Sequence, residues 1–140
     1  MPQKLSYFRL SLLSYFRDSH PYLANDNAFI TIRGDAAAEA YSAAVKNGQS
    51  HDQAGEIANE VLYAGLLFSP YRTIVRILWN EFEKDVTPVL AESVAMEMLP
   101  KLNGVFNKYK LSDGFDTTEE YDQLYTELTG TIQILLEDGI

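Results

Sequence analysis

The sequence predicts an all-α protein, and three observations carry that reading. Apolar side chains recur at the helical period along most of the 140 residues. Helix-start signals stand at Asp26, Ser50, Ser69, Thr87 and Thr117. The one segment that alternates like a strand, Thr129 to Ile134, has no partner strand elsewhere. The expected architecture is a compact single-domain bundle of about six helices over residues 1–140, the fifth kinked or split at Pro100.

The first helix runs from about Lys4 to Asp18, with Leu5, Phe8, Leu12, Tyr15 and Phe16 on one stripe. Ser19-His20-Pro21 ends it, because the residue before proline is pushed out of the helical region. Asp26 caps the second helix, which Phe29, Ile30, Ala36, Ala37, Ala40, Tyr41 and Ala44 continue. Those alanines imply close approach of a neighbour. Asn47-Gly48 stops it. Ser50-x-x-Gln53 opens the third helix as a capping box, with Ala54, Ile57, Ala58, Val61, Leu62 and Gly65 inside.

Ser69-Pro70 starts the fourth helix, with Tyr71, Ile74, Val75, Leu78, Trp79 and Phe82 on one side. Thr87-Pro88 starts the fifth, which carries Val94, Met98, Leu102, Val105, Phe106 and Tyr109. Pro100 inside it lacks a donor and clashes one turn back. Leu111 to Asp116 reads as a loop, with Asp113-Gly114 as turn chemistry. Thr117-x-x-Glu120 is a second capping box and opens the last helix, lined by Tyr121, Leu124, Tyr125, Leu128, Ile132, Leu135 and Leu136.

Composition excludes several classes of chemistry. There is no cysteine, so disulfides and thiolate sites are absent. The two histidines, His20 and His51, stand in no metal-ligand pattern, and both read as solvated turn or cap residues. Nucleophile elbows and phosphate loops are missing. No metal and no cofactor is expected. The net charge of −9 opposes direct binding to nucleic acid or an anionic membrane. No apolar run reaches the length of a membrane span and the start has no signal-peptide layout, so a cytoplasmic location is expected.

Two charges sit against apolar stripes. Arg9 falls inside the stripe of the first helix, and Glu81 lies at the edge of that of the fourth. A buried charge is costly unless paired, so Arg9 is expected to pair with a carboxylate such as Glu81 or Glu60. The rival reading makes Arg9 the centre of a ligand site. Tyr7 and Leu10 fall off the main stripe of the first helix and mark a partner surface. From Asp113 onward there are eight carboxylates and no Lys or Arg, with Glu119, Glu120, Asp122 and Glu127 as the acidic face of the last helix.

Three stretches carry a family resemblance: Ser6 to Pro21 (SYFRLSLLSYFRDSHP), Ala58 to Phe82 (ANEVLYAGLLFSPYRTIVRILWNEF) and Leu124 to Ile132 (LYTELTGTI). Through them the chain resembles a Bacteroidetes family catalogued as domain of unknown function 1896. The resemblance implies a short helical protein, often encoded near conjugative mobile elements, with no activity or catalytic residue to carry over.

Three functions compete. The leading one is a non-enzymatic protein-interaction module that binds a protein partner or forms a homodimer through Tyr7 and Leu10. The second is an acidic decoy that occupies a nucleic-acid-binding protein of mobile-element machinery. The third is an enzyme with an unrecognised site around Glu81, Asn80 or Glu60.

Overall fold

A computed structural model describes residues 2–139, and the side chains from Tyr7 onward. The Lys4 and Leu5 side chains lie outside the described residues. Helices and turns account for every regular element among the described residues, and the Thr129–Ile134 stretch is helical. The chain divides into two compact units, one ending at Leu66 and one starting at Leu67. Each has its own apolar cluster, where the sequence reading expects one common interior.

The first unit holds α1 (Pro2–Ser19), a 3-10 turn (Pro21–Leu23), α2 (Asn27–Lys46) and α3 (His51–Tyr63). The caps fall where the sequence puts them. Asp26 accepts from the Phe29 N–H, and Ser50 and Gln53 close a reciprocal capping box. Gly48 takes the left-handed conformation (φ 90°) that ends α2. Phe8, Leu12 and Phe16 of α1 pack with Ile30, Ala37, Ala38, Tyr41 and Ala44 of α2 and with Ala54, Ala58 and Leu62 of α3. The small side chains let α2 and α3 run against each other. Ala36 faces solvent.

Gly34 marks the closest approach of α1 to α2. A Cβ there would stand 2.8 Å from Arg9 Cγ and 3.2 Å from the Arg9 backbone nitrogen. Glycine inside a helix costs about 1 kcal/mol against alanine, so it needs a packing reason, and this contact is that reason. Arg33, one residue earlier, donates to the carbonyls of Val61, Leu62 and Ala64, the nearest at 2.8 Å. Its guanidinium satisfies the free carbonyls at the end of α3 and complements the dipole there.

His20 corrects the sequence reading. It is not a solvated turn residue: it is 3% exposed, and both ring nitrogens are engaged. Aromatic rings of Tyr15, Phe16 and Tyr22 surround it.

The second unit holds α4 (Pro70–Glu81), a 3-10 turn (Pro88–Leu90), α5 (Ala91–Met98), a 3-10 turn (Leu99–Leu102), α6 (Asn103–Phe106), a 3-10 turn (Phe115–Thr117) and α7 (Glu119–Glu137). Pro100 splits the expected fifth helix into α5 and α6, because its ring and missing N–H interrupt the α ladder and a tighter turn takes over. Ser69 caps α4 through the Arg72 N–H. α7 is capped by Thr118, accepting from the Tyr121 N–H, one residue later than the expected Thr117. Thr117 instead donates to the Gly114 carbonyl at 2.8 Å inside the preceding turn.

Burial in this unit centres on α4. Tyr71, Ile74, Val75, Ile77 and Leu78 pack with Met98, Leu102 and Phe106, with Phe68 and Phe115, and with Leu124, Leu128 and Ile132 of α7. Trp79, expected inside, is 41% exposed and lies under the Arg72 guanidinium. α4 buries Thr73 and Ile77 as well as its main stripe, which rotates Trp79 to the rim.

Replacing Gly34 by Ala should destabilise the first unit by roughly 1–2 kcal/mol, because overpacking against the Arg9 backbone outweighs the gain in helix propensity. Gly55→Ala, where a Cβ meets nothing within 4 Å, should stabilise by about 0.5–1 kcal/mol. Urea unfolding followed by circular dichroism checks both signs.

Candidate functional site

The candidate residues fall into three surface regions. Tyr7 and Leu10 lie on the outer side of α1, 60% and 65% exposed. They are three residues apart, so they share a face. Ser14 and Arg17 are exposed further along the same line. Phe8, next to Tyr7, points inward and meets its ring edge-on at 5.2 Å.

Arg9 is paired, but its carboxylate is Asp35 and not Glu81 or Glu60. Nε and a terminal nitrogen both donate to Asp35 Oδ1, at 3.0 and 2.7 Å. The reason is the α1–α2 crossing: Gly34 admits the Arg9 backbone, and Asp35, the next residue, meets its side chain. Both partners are about two-fifths exposed, 39% and 43%, so solvent screens the pair and it contributes under about 1 kcal/mol. Arg9 is thus a half-exposed side chain whose stem covers α2, rather than a buried charge.

Glu81 and Asn80 belong to a polar seam between α4 and α7. The Tyr125 hydroxyl donates to Glu81 Oε2 at 3.0 Å and accepts from Asn80 Nδ2 at 3.3 Å. One turn earlier on each helix, Arg76 donates to the Tyr121 hydroxyl at 2.9 Å. Burial comes first and Glu81 also contributes in pushing the Tyr125 phenol above its ordinary range. Sequence reading found Asn80 and Glu81 but not their tyrosine partners, since Tyr121 and Tyr125 read as core from their spacing.

The acidic face is divided. Glu119, Glu120 and Asp122 are exposed in the first turn of α7, where negative charge complements the helix dipole. Glu127 stands apart from them: Lys108 and the Tyr109 hydroxyl each hold one of its oxygens. The Lys108 hydrogen bond, then that of Tyr109, holds the Glu127 carboxyl below its ordinary range. The same carboxylate raises the Tyr109 phenol, mainly through its hydrogen bond, because ionisation would set a phenolate against it.

Among the described residues no group of three or more His or acidic side chains is arranged to hold a metal ion. No described helix is long and apolar enough to cross a membrane. Every buried side-chain nitrogen and oxygen among the described residues has a hydrogen-bond partner.

Glu127→Gln should bring the Tyr109 phenol back down toward the ordinary tyrosine value of about 10. Ultraviolet titration of phenolate absorbance checks this against the unsubstituted protein. Asp35→Asn should change stability by less than about 1 kcal/mol, given the exposure of the Arg9 pair. Urea unfolding at low and high salt measures it.

Comparison with known proteins adds the following. The crystal structure of protein PG0816 from Porphyromonas gingivalis is similar to this chain, with a TM-score of 0.94 and 45% sequence identity. The match covers 98% of this chain and 93% of that one. No curated protein matches the chain. A family model described as a domain of unknown function, DUF1896, matches residues 1–139. The chain belongs to this DUF1896 family.

Proposed function

We propose that this protein is a non-enzymatic interaction module that associates with a second copy of itself through the outer face of α1. The observation that carries the reading is the exposure of Tyr7 and Leu10, two large apolar side chains one turn apart on one helix. Such side chains left in water mark contact surfaces, and tyrosine is enriched at them. A two-fold pairing would set Tyr7 and Leu10 of one copy against those of the other, a self-complementary contact. Residues 1–140 act as one domain in this reading, which the unbroken family match over 1–139 supports. A cytoplasmic location belongs to the same reading.

The decoy alternative draws less support. A phosphate-like array needs carboxylates repeated along one exposed face. On α7 the outward line from Glu119 runs through the uncharged Gln123, Thr126, Gly130 and Gln133 before it meets a second carboxylate at Glu137. Glu127 is neutralised by Lys108. The enzyme alternative rested on Glu81, Asn80 and Glu60. Glu81 and Asn80 are exposed and spend their hydrogen bonds on Tyr125.

Light scattering after size exclusion tests the reading, with loading from roughly 1 μM to 1 mM, the range where weak dimers form. The natural chain should move from monomer to dimer across that range. Tyr7→Ser combined with Leu10→Ser should remain monomeric throughout. A strict monomer, or a dimer untouched by the double substitution, would count against it.

A further inference from the structure

The second unit carries most of the negative charge. From Leu67 to Ile140 there are 13 carboxylates against 6 Lys and Arg, and from Glu81 to Met98 there are five against one. Large apolar side chains stand in water within that acidic stretch. Val89 is 90% exposed, and Leu90, Met96 and Trp79 are exposed with it. The four form one patch. The Trp79 indole N–H donates to the Pro88 carbonyl at 3.4 Å, which holds the ring beside the turn that carries Val89 and Leu90. Ser93 and Met96 follow Val89 at four and seven residues, the spacing of one helix face. The Ser93 hydroxyl donates to the Leu90 carbonyl at 3.1 Å. Both polar groups inside the patch are thus spent on its own backbone, and what faces outward is apolar. Exposed apolar area rimmed by polar residues marks a contact surface.

The rim decides the chemistry of the partner. Glu83 and Asp85 stand exposed in the turn after α4, with Lys84 as the one base between them, and Glu97 is exposed beside Met96 on α5. Among the described residues no ion pair holds these three carboxylates. Arg72, the other cation at this surface, is neutralised by Glu92, and its guanidinium lies over the Trp79 ring, 5.5 Å from the centre. The indole face is therefore already a seat for a cation. A second copy of the patch would meet this rim as like charge, and so would nucleic acid or an anionic bilayer. Unlike charge flanking an apolar stripe is what a basic amphipathic helix offers.

We propose that this patch binds a basic amphipathic helix of a partner protein. The apolar stripe of that helix covers Val89, Leu90, Met96 and the Trp79 ring, and its Lys or Arg flanks meet Glu83, Asp85 and Glu97. Met96, unbranched and polarizable, adapts to the apolar side chain that lands on it. The patch shares no residue with the outer face of α1, so this contact and the self-association proposed above stand or fall separately.

Trp79 is the one tryptophan of the chain, so its fluorescence reads the patch directly. The probe is a synthetic helix of about 18 Leu and Lys residues with the leucines on one stripe, and the control has the same composition scrambled so that no stripe forms. Titrated into the full chain over roughly 1–100 μM, the striped peptide should saturate and move Trp79 emission to shorter wavelength. The scrambled peptide, equal in charge, should bind at least about tenfold more weakly. Val89→Ser with Met96→Ser should weaken the striped peptide by about tenfold or more. Glu83→Gln, Asp85→Asn and Glu97→Gln together should weaken it at low salt and far less at high salt. Tyr7→Ser with Leu10→Ser should leave the titration unchanged. Amide chemical shifts of the natural chain give a reading that needs no variant: the striped peptide should move residues 88–97 and leave α3 still. No binding up to about 100 μM would overturn the proposal, as would equal binding of both peptides, which reduces the effect to bulk charge. So would a signal indifferent to Val89 and Met96, or shifts centred on α1. A Trp79 change that follows protein concentration without peptide would make a second copy the occupant and overturn it too.

Discussion

The first unit depends on one close contact, the passage of the Arg9 backbone over Gly34. Two helices can approach that far only where one of them has no Cβ, and α2 supplies the gap two residues before its alanine-rich stretch. The contact sets where α1 lies, and with it where Phe8, Leu12 and Phe16 enter the core. It also decides the fate of the charges nearby. Asp35 meets Arg9 because it follows Gly34, and Arg33 reaches the end of α3 because it precedes it. Three consecutive residues thereby tie α2 to both of its neighbours, one by shape and two by charge.

The second unit is organised by a different constraint. Pro100 prevents a single long helix, so the chain from Pro88 to Phe106 is delivered in short pieces. Short helices have little stability of their own in water. Their order comes from burying Met98, Leu102 and Phe106 against α4 and α7. Hence α4 is buried beyond a single stripe, and its polar and aromatic side chains are confined to a narrow outward strip. Arg72, Arg76, Trp79 and Asn80 share that strip, and each finds a local partner: Glu92, Tyr121, the Pro88 carbonyl and Tyr125.

These two arrangements leave different kinds of surface. The polar seam of α4 and α7 already pairs Arg76, Asn80 and Glu81 with tyrosine hydroxyls. On the outer face of α1, Tyr7 and Leu10 stand in water. Polar side chains that already hold a partner gain less from a further contact than exposed apolar area does.

Residue order by itself determined the helices, most of their ends and the break at Pro100, because caps, prolines and apolar period act within a few residues of one another. It also determined that Tyr7 and Leu10 lie off the inner stripe, since helical angle follows from spacing alone. Tertiary structure alone decided the partners. Arg9 could have met any carboxylate by sequence; the crossing at Gly34 chose Asp35. His20 read as a turn residue because its neighbours in sequence end a helix, yet the groups that bury and bind it include Leu66, which only folding brings near. The division of the apolar residues into two clusters was equally hidden, because periodicity tells which side of a helix is covered and carries no information about which helix covers it.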